Sequence, residues 1–144
     1  MNTFRLTILA LDKPFYSGQC EALSVPSLDG RYGILAHHSN MITAVIPGTL
    51  EYRPQGNKNQ VVAVSHGLVK IENNDVLVLV DSIERAEDID ADRALHAAEE
   101  ARELIMHSKS SREHRLAQEQ MERALNRLRV KGLYDRFKGL DKKS

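Results

Sequence analysis

The side chains able to do chemistry in this chain are few and poorly spaced for it. His37 and His38 are adjacent, so on a strand they would face opposite sides and could not converge on one ion. His107 and His114 stand seven apart, but the polar break His107-Ser108-Lys109-Ser110-Ser111 falls between them. No histidine set has metal-ligand spacing, and no metal site is expected. Cys20 is the single cysteine, which rules out an internal disulfide and a cysteine zinc site. Placed in a strand pattern, it reads as a small core residue. There is no G-x-S-x-G elbow, no H-E-x-x-H and no phosphate-binding G-x-x-x-x-G-K-[ST]. The acidic groups Glu99, Glu100 and Glu103 fall on the solvated face of a helical pattern. The chain is expected to catalyse nothing by itself.

Charge gives a sharper signal. Lys plus Arg and Asp plus Glu both number 20, so the total favours neither nucleic acid nor acidic ligands. From Arg123 onward, however, 8 basic residues face 2 acidic ones. Arg123, Arg127 and Lys131 recur at intervals of four and so line one helix face. Such a stripe can meet phosphates or acidic protein. No aromatic residue is interleaved between Arg112 and Lys131, and no helix-turn-helix signature is visible. Nucleic-acid binding is therefore the weaker reading, behind a solvated basic helix. The N-terminus lacks the pattern of a signal peptide, and the longest apolar run, Val76 to Val80, is far short of a membrane span.

Two kinds of element must position these groups. Residues 1–87 read as short strands. Phe4, Leu6 and Ile8 alternate with Arg5 and Thr7. Pro14 and Gly18 bracket a second strand, and Cys20 to Val25 form a third. Turns are expected at Leu28-Asp29-Gly30, Pro47-Gly48 and Asn57-Lys58-Asn59. The runs from Val61, Leu68 and Val76 are strands split by Ser65-His66-Gly67 and Glu72-Asn73-Asn74-Asp75. This spacing predicts an antiparallel β-sandwich or barrel. Over residues 88–144 the period changes. Ala94, Ala98, Ala101 and Ile105, then Ala117, Met121, Ala124 and Leu128, each repeat at intervals of 4, 3 and 4. Asp90 can cap the first helix, and Ser110 with Glu113 fits a capping box for the second. An antiparallel two-helix hairpin follows. Its alanine seam buries little area, so the hairpin should either lie on the sandwich or exchange between arrangements. Beyond the helix pattern, Gly132 to Ser144 carries Tyr134 and Phe137 among lysines.

The order of landmarks is specific. Asp29-Gly30-Arg31-Tyr32-Gly33-Ile34-Leu35-Ala36-His37-His38, then Pro47-Gly48, resembles the sandwich of the epsilon subunit of bacterial F-type ATP synthases. Val76 to Asp81 followed by Glu87-Asp88-Ile89-Asp90 is similar to the sandwich-to-helix junction of that family. The resemblance covers essentially the whole chain. The chain departs from the family at Ala36 and Asn40, where prolines are usual, and at His66-Gly67, where Gly-Gly is common. The resemblance implies a non-catalytic subunit of the central stalk, at the cytoplasmic face of the cell membrane and reaching the membrane only through partners. Its sandwich would meet the gamma subunit and the ring of c subunits. Asp29, Gly30 and Arg31 would contact the ring, and His38 and Met41 would face gamma, although relatives often carry an acid at the position of Arg31. The hairpin would reach the alpha and beta subunits and block ATP hydrolysis, with Arg123, Arg127 and Lys131 carrying that docking.

No cofactor is required, but ATP is a candidate regulatory ligand. Ile89-Asp90-Ala91-Asp92-Arg93-Ala94 matches the I/L-D-x-x-R-A pattern of ATP-binding relatives. Glu84, Arg123 and Arg127 match further binding positions, whereas Glu100 stands where those relatives place another arginine. Guanidinium groups converging on a triphosphate would form forked, charge-assisted bonds. Helix capping alone would account for Asp90. An independent nucleotide-binding regulatory module is the alternative reading.

Overall fold

The computed structural model describes residues 2–11 and 13–143, with side chains described as far as residue 132. It divides into two compact units, Met1–Glu84 and Arg85–Ser144.

The first unit is a β-sandwich of nine strands: β1 Phe4–Ala10, β2 Lys13–Ser27, β3 Gly30–Leu35, β4 Met41–Val45, β5 Gly48–Pro54, β6 Gln60–Val64, β7 Gly67–Glu72, β8 Asp75–Val80 and β9 Ile83–Arg85. The strand order is β4-β7-β8-β1-β2-β5-β6-β9, with β3 paired to β2. The alternation in β1 is realised: Phe4, Leu6 and Ile8 are buried while Arg5 is exposed. They join Val69, Ile71, Val76, Val78 and Val80 in the core between the sheets. One pairing departs from the antiparallel pattern, since β1 lies parallel to β8.

β2 also differs from the reading of two short strands, because it is one strand of 15 residues. Pro14 pairs with Leu9 beyond a register shift, where a missing N–H does no harm. Gly18 sits under the Tyr16 ring, whose hydroxyl would lie 2.8 Å from a β-carbon there. Neither residue ends the strand. The first half of β2 pairs with β1, and the second half with β3 and β5, so this strand serves both layers. Gly67, which opens β7, is required for close approach: a β-carbon would collide with the Leu79 carbonyl oxygen and come 2.7 Å from Val80 Cα.

Cys20 is fully buried, with Sγ 3.5 Å from the Tyr16 hydroxyl, and the Tyr16 ring lies 4.8 Å from that of Tyr52, tilted by 44°. Burial pushes the Cys20 thiol above its ordinary 9.0. Burial, reinforced by Cys20, pushes the Tyr16 phenol above its ordinary 10.0. Both are acids held protonated by folding, so the unfolded chain releases these protons first. Their contribution is fully present below the unfolded values and is lost as pH rises from there through the raised folded values. The urea midpoint is therefore expected to fall as pH rises above 9.0, the ordinary thiol value. A Tyr16→Phe variant should show a shallower fall, and an equally steep fall would sink the assignment.

The second unit begins with a 3-10 turn, Ala86–Asp88, followed by α1 Ala91–His107 and α2 Ser111–Lys143. Asp90 Oδ1 accepts from the amides of Asp92 (3.0 Å) and Arg93 (3.2 Å), so the cap read from the sequence is made. Ala94, Ala98 and Ala101 of α1 and Ala117 and Ala124 of α2 are buried, and the two helices pack on one another. In the connector, the Glu113 amide donates to Ser110 Oγ (3.1 Å). The Glu113 carboxylate accepts from the amide of Lys109 (3.0 Å), one residue earlier than the usual capping box. A methyl-sized group buries roughly 0.8 kcal/mol, so an alanine seam is weaker than a leucine one. The side chains of Tyr134 and Phe137 lie outside the described residues.

Candidate functional site

The loop Ala36–Asn40 joins β3 to β4 and carries His38. His37 takes a left-handed φ of 66°, which costs a residue with a β-carbon roughly 1–2 kcal/mol unless contacts hold it. Two contacts do so from across the chain. The His37 amide donates to Asn74 Oδ1 (2.7 Å), and Asn40 Oδ1 accepts from the Asn73 amide (2.9 Å). Asn73 and Asn74 are themselves left-handed, with φ of 51° and 66°, and form the two-residue turn between β7 and β8. Asn74 Nδ2 also donates to the Thr3 carbonyl (2.9 Å), tying that turn to the start of β1.

At the far side of the loop, His38 Nδ1 lies 2.9 Å from the Ser39 carbonyl and Nε2 lies 2.9 Å from the Tyr32 hydroxyl. A carbonyl only accepts, so Nδ1 carries the hydrogen that meets Ser39. The Tyr32 hydroxyl is also 3.0 Å from Met41 Sδ. The structure thus brings His38 and Met41 together through Tyr32. Met41 packs partly against the core, and the next residue, Ile42, faces outward.

That outward face is unusually apolar. The registers place Ala44, Leu68, Leu79 and Leu9 in one row across β4, β7, β8 and β1. Ile42, Lys70, Leu77 and Thr7 form the next row. Ile42 is 66% exposed and Leu68 38%. Leu9, Leu77 and Leu79 are half-buried. A sheet with one face in the core normally turns polar residues to water on the other. An apolar row at this position is a candidate docking surface.

The Asp29-Gly30-Arg31 turn lies at the opposite end of β3. Gly30 has a φ of 109°, open to glycine alone, and its carbonyl accepts from Ser27 Oγ (2.6 Å). Leu28 is 80% exposed and Asp29 is exposed. Arg31 folds back onto its own sheet. Its Nε donates to Ser24 Oγ (3.0 Å), and its two terminal nitrogens reach the carbonyls of Thr49 (2.9 Å) and Ser24 (3.4 Å), with the Glu51 carboxylate 4.0 Å away. The guanidinium therefore staples β2, β3 and β5. Its side chain is 46% exposed, which reduces the value of each bond. Arg31→Ala is expected to lower the unfolding free energy by about 1 kcal/mol, and Arg31→Lys should recover little because it lacks the fork. Urea unfolding of the three proteins checks this, and an unchanged midpoint in the alanine variant would refute the staple.

In the second unit, Ile89, Asp90, Arg93 and Ala94 open α1; Ile89 and Ala94 are buried and Arg93 is exposed. Arg123 and Arg127 are exposed and Lys131 half-buried along one face of α2. Glu84 belongs to the other unit, in β9. The sequence pattern did not single out Tyr32, Asn73 or Asn74 for any role at the site, or the apolar row through Leu79. The visible signal for Asn73 and Asn74 was only that of a turn.

Residues 3–86 match the family described as the ATP synthase delta/epsilon chain, beta-sandwich domain, and residues 87–132 match its long alpha-helix domain. The ATP synthase epsilon chain of Nitratidesulfovibrio vulgaris (strain DP4) is 38% identical over 130 residues, covering 90% of this chain and 96% of that one. The ATP synthase epsilon chain of Desulforamulus reducens is 35% identical over 128 residues, covering 89% and 96%. Among solved structures, a chain of the Euglena gracilis mitochondrial ATP synthase OSCP/F1/c-ring assembly has the same fold. Its TM-score is 0.79 at 22% identity, over 88% of this chain and 79% of that one.

Proposed function

The chain belongs to the ATP synthase delta/epsilon family, and on that premise we infer that it serves as a central-stalk subunit whose sandwich docks on the gamma subunit. The observation that carries this reading is the apolar outer face of β4, β7, β8 and β1 next to the His38 loop. A surface of this kind needs a partner of complementary apolar character. The exposed Leu28-Asp29 tip, at the other end of β3, is the part of the turn that reaches the c-ring, because Arg31 is engaged by its own sheet. No helix among the described residues is long and apolar enough to cross a membrane. On the same reading, contact with the membrane, at its cytoplasmic face, runs through the c subunits.

The hairpin is the regulatory element, reaching the alpha and beta subunits and restraining ATP hydrolysis through its basic face. ATP sensing is a separate proposal, which would draw on Ile89, Asp90, Arg93, Ala94, Arg123 and Arg127. Capping already accounts for Asp90, so the regulatory reading rests on Arg123, Arg127 and Lys131 rather than on nucleotide. Co-expression with a tagged gamma subunit tests the assembly. The chain should co-purify with gamma in equal amounts, and its absence from the complex would overturn the reading.

A further inference from the structure

We propose that Asn40 and Asn74 are positioning residues for the gamma contact, holding the Ala36–Asn40 loop, and with it His38, in docking geometry before the partner arrives. This rests on the reading above that gamma covers this face. The two side chains grip the loop near its two ends, through the His37 amide and the Asn73 amide. They connect it to elements remote in sequence, since Asn74 stands 37 residues from His37 and Asn73 stands 33 from Asn40. The amide of Asn74 is oriented by both partners at once: its oxygen must face the His37 N–H and its nitrogen the Thr3 carbonyl. The Arg5 amide in turn donates to the Asn74 carbonyl (3.2 Å), so the turn that grips the loop is bound to β1 by main chain as well as side chain.

The grip has work to do because His37 is left-handed without being glycine. Without it the loop has reason to relax toward ordinary backbone angles and carry His38 off the Tyr32 hydroxyl. Ala36 and Asn40 stand where prolines are usual in the resemblance noted above, and a proline would fix φ covalently. In this chain hydrogen bonds supply that stiffness. A loop held in its bound conformation spends less affinity on ordering, and a partly populated one loses affinity in proportion to the competent fraction.

The experiment measures association and dissociation of the full chain with the gamma subunit, for Asn40→Ala, Asn74→Ala and Asn40→Pro. Amide hydrogen exchange at His37 and His38 is followed in the same proteins without gamma. Both alanine variants should bind about tenfold more weakly, chiefly through slower association, with faster exchange at the two loop amides and unchanged exchange in the core strands. Asn40→Pro should recover most of the affinity although it cannot make the hydrogen bond, an outcome that a merely structural role for Asn40 would not produce. Alanine variants that associate at the original rate, or a proline variant no better than alanine, overturn the proposal. Should the unaltered chain not bind gamma, the docking reading fails. The grip is then judged by exchange alone, and unchanged exchange at His37 in Asn74→Ala overturns it.

Discussion

Ile42→Glu should weaken docking on gamma by at least about a hundredfold while leaving the isolated chain folded. The side chain is 66% exposed, so in the isolated protein a carboxylate at this position meets water and should change stability by less than about 0.5 kcal/mol. In the complex the same carboxylate is stripped of water against apolar surface, and its one cationic cross-strand neighbour, Lys70, is already paired with Glu72 at 3.0 Å. An uncompensated buried charge costs several kcal/mol, and each 1.4 kcal/mol is tenfold in affinity. Leu79→Glu should act in the same direction, with some loss of stability added because Leu79 is half-buried. The informative comparison is Ile42→Val, which keeps the apolar contact and should bind within about fourfold of the original, near the cost of one methylene. A glutamate variant that binds as well as the valine one would mean that gamma does not cover this face.

The face was hard to read in advance for a definite reason. Val76-Leu77-Val78-Leu79-Val80 is a continuous apolar run, and such a run looks like a strand buried on both sides. Period-2 reasoning cannot say that Val76, Val78 and Val80 enter the core while Leu77 and Leu79 look out. That division depends on registers with β7 and β1. Local signals fared better. The alternation of Phe4, Leu6 and Ile8, the Asp90 cap and the alanine seam all depend on neighbours within a few residues, and all are realised. Pro14 and Gly18 misled because their usual meaning as strand breakers gave way to a register shift and to packing against Tyr16. The grip on the His38 loop was invisible for another reason, since it joins residues more than thirty apart that only the β7–β8 turn brings together. The resemblance supplied His38 and Met41 as candidates, and the structure supplies Tyr32 as the group linking them.

Removing residues 89–144 should raise ATP hydrolysis by the reconstituted head several-fold, and the cause should be charge more than area. The alanine seam between α1 and α2 uses up the buried face of each helix, leaving exposed side chains as the means of contact. Arg123 and Arg127, both exposed, and the half-buried Lys131 lie along one face, while Ala124 and Val130, buried beside them, are untouched by changes at those three positions. An exposed ion pair is worth roughly 0.2–1 kcal/mol, so three together supply about 0.6–3 kcal/mol, centred on the order of tenfold in docking. Exposed charges are screened over about 10 Å at 0.1 M salt, and inhibition by the full chain should therefore weaken as salt is raised. The triple variant Arg123→Gln, Arg127→Gln, Lys131→Gln should inhibit about tenfold less at low salt and lose most of the salt dependence. If instead the triple variant inhibits like the full chain while the truncated one does not, the hairpin acts through apolar contacts. Leu104 and Leu116, exposed beside the connector, are then the residues to change next. If the truncation itself leaves hydrolysis unaltered, the hairpin is not a brake.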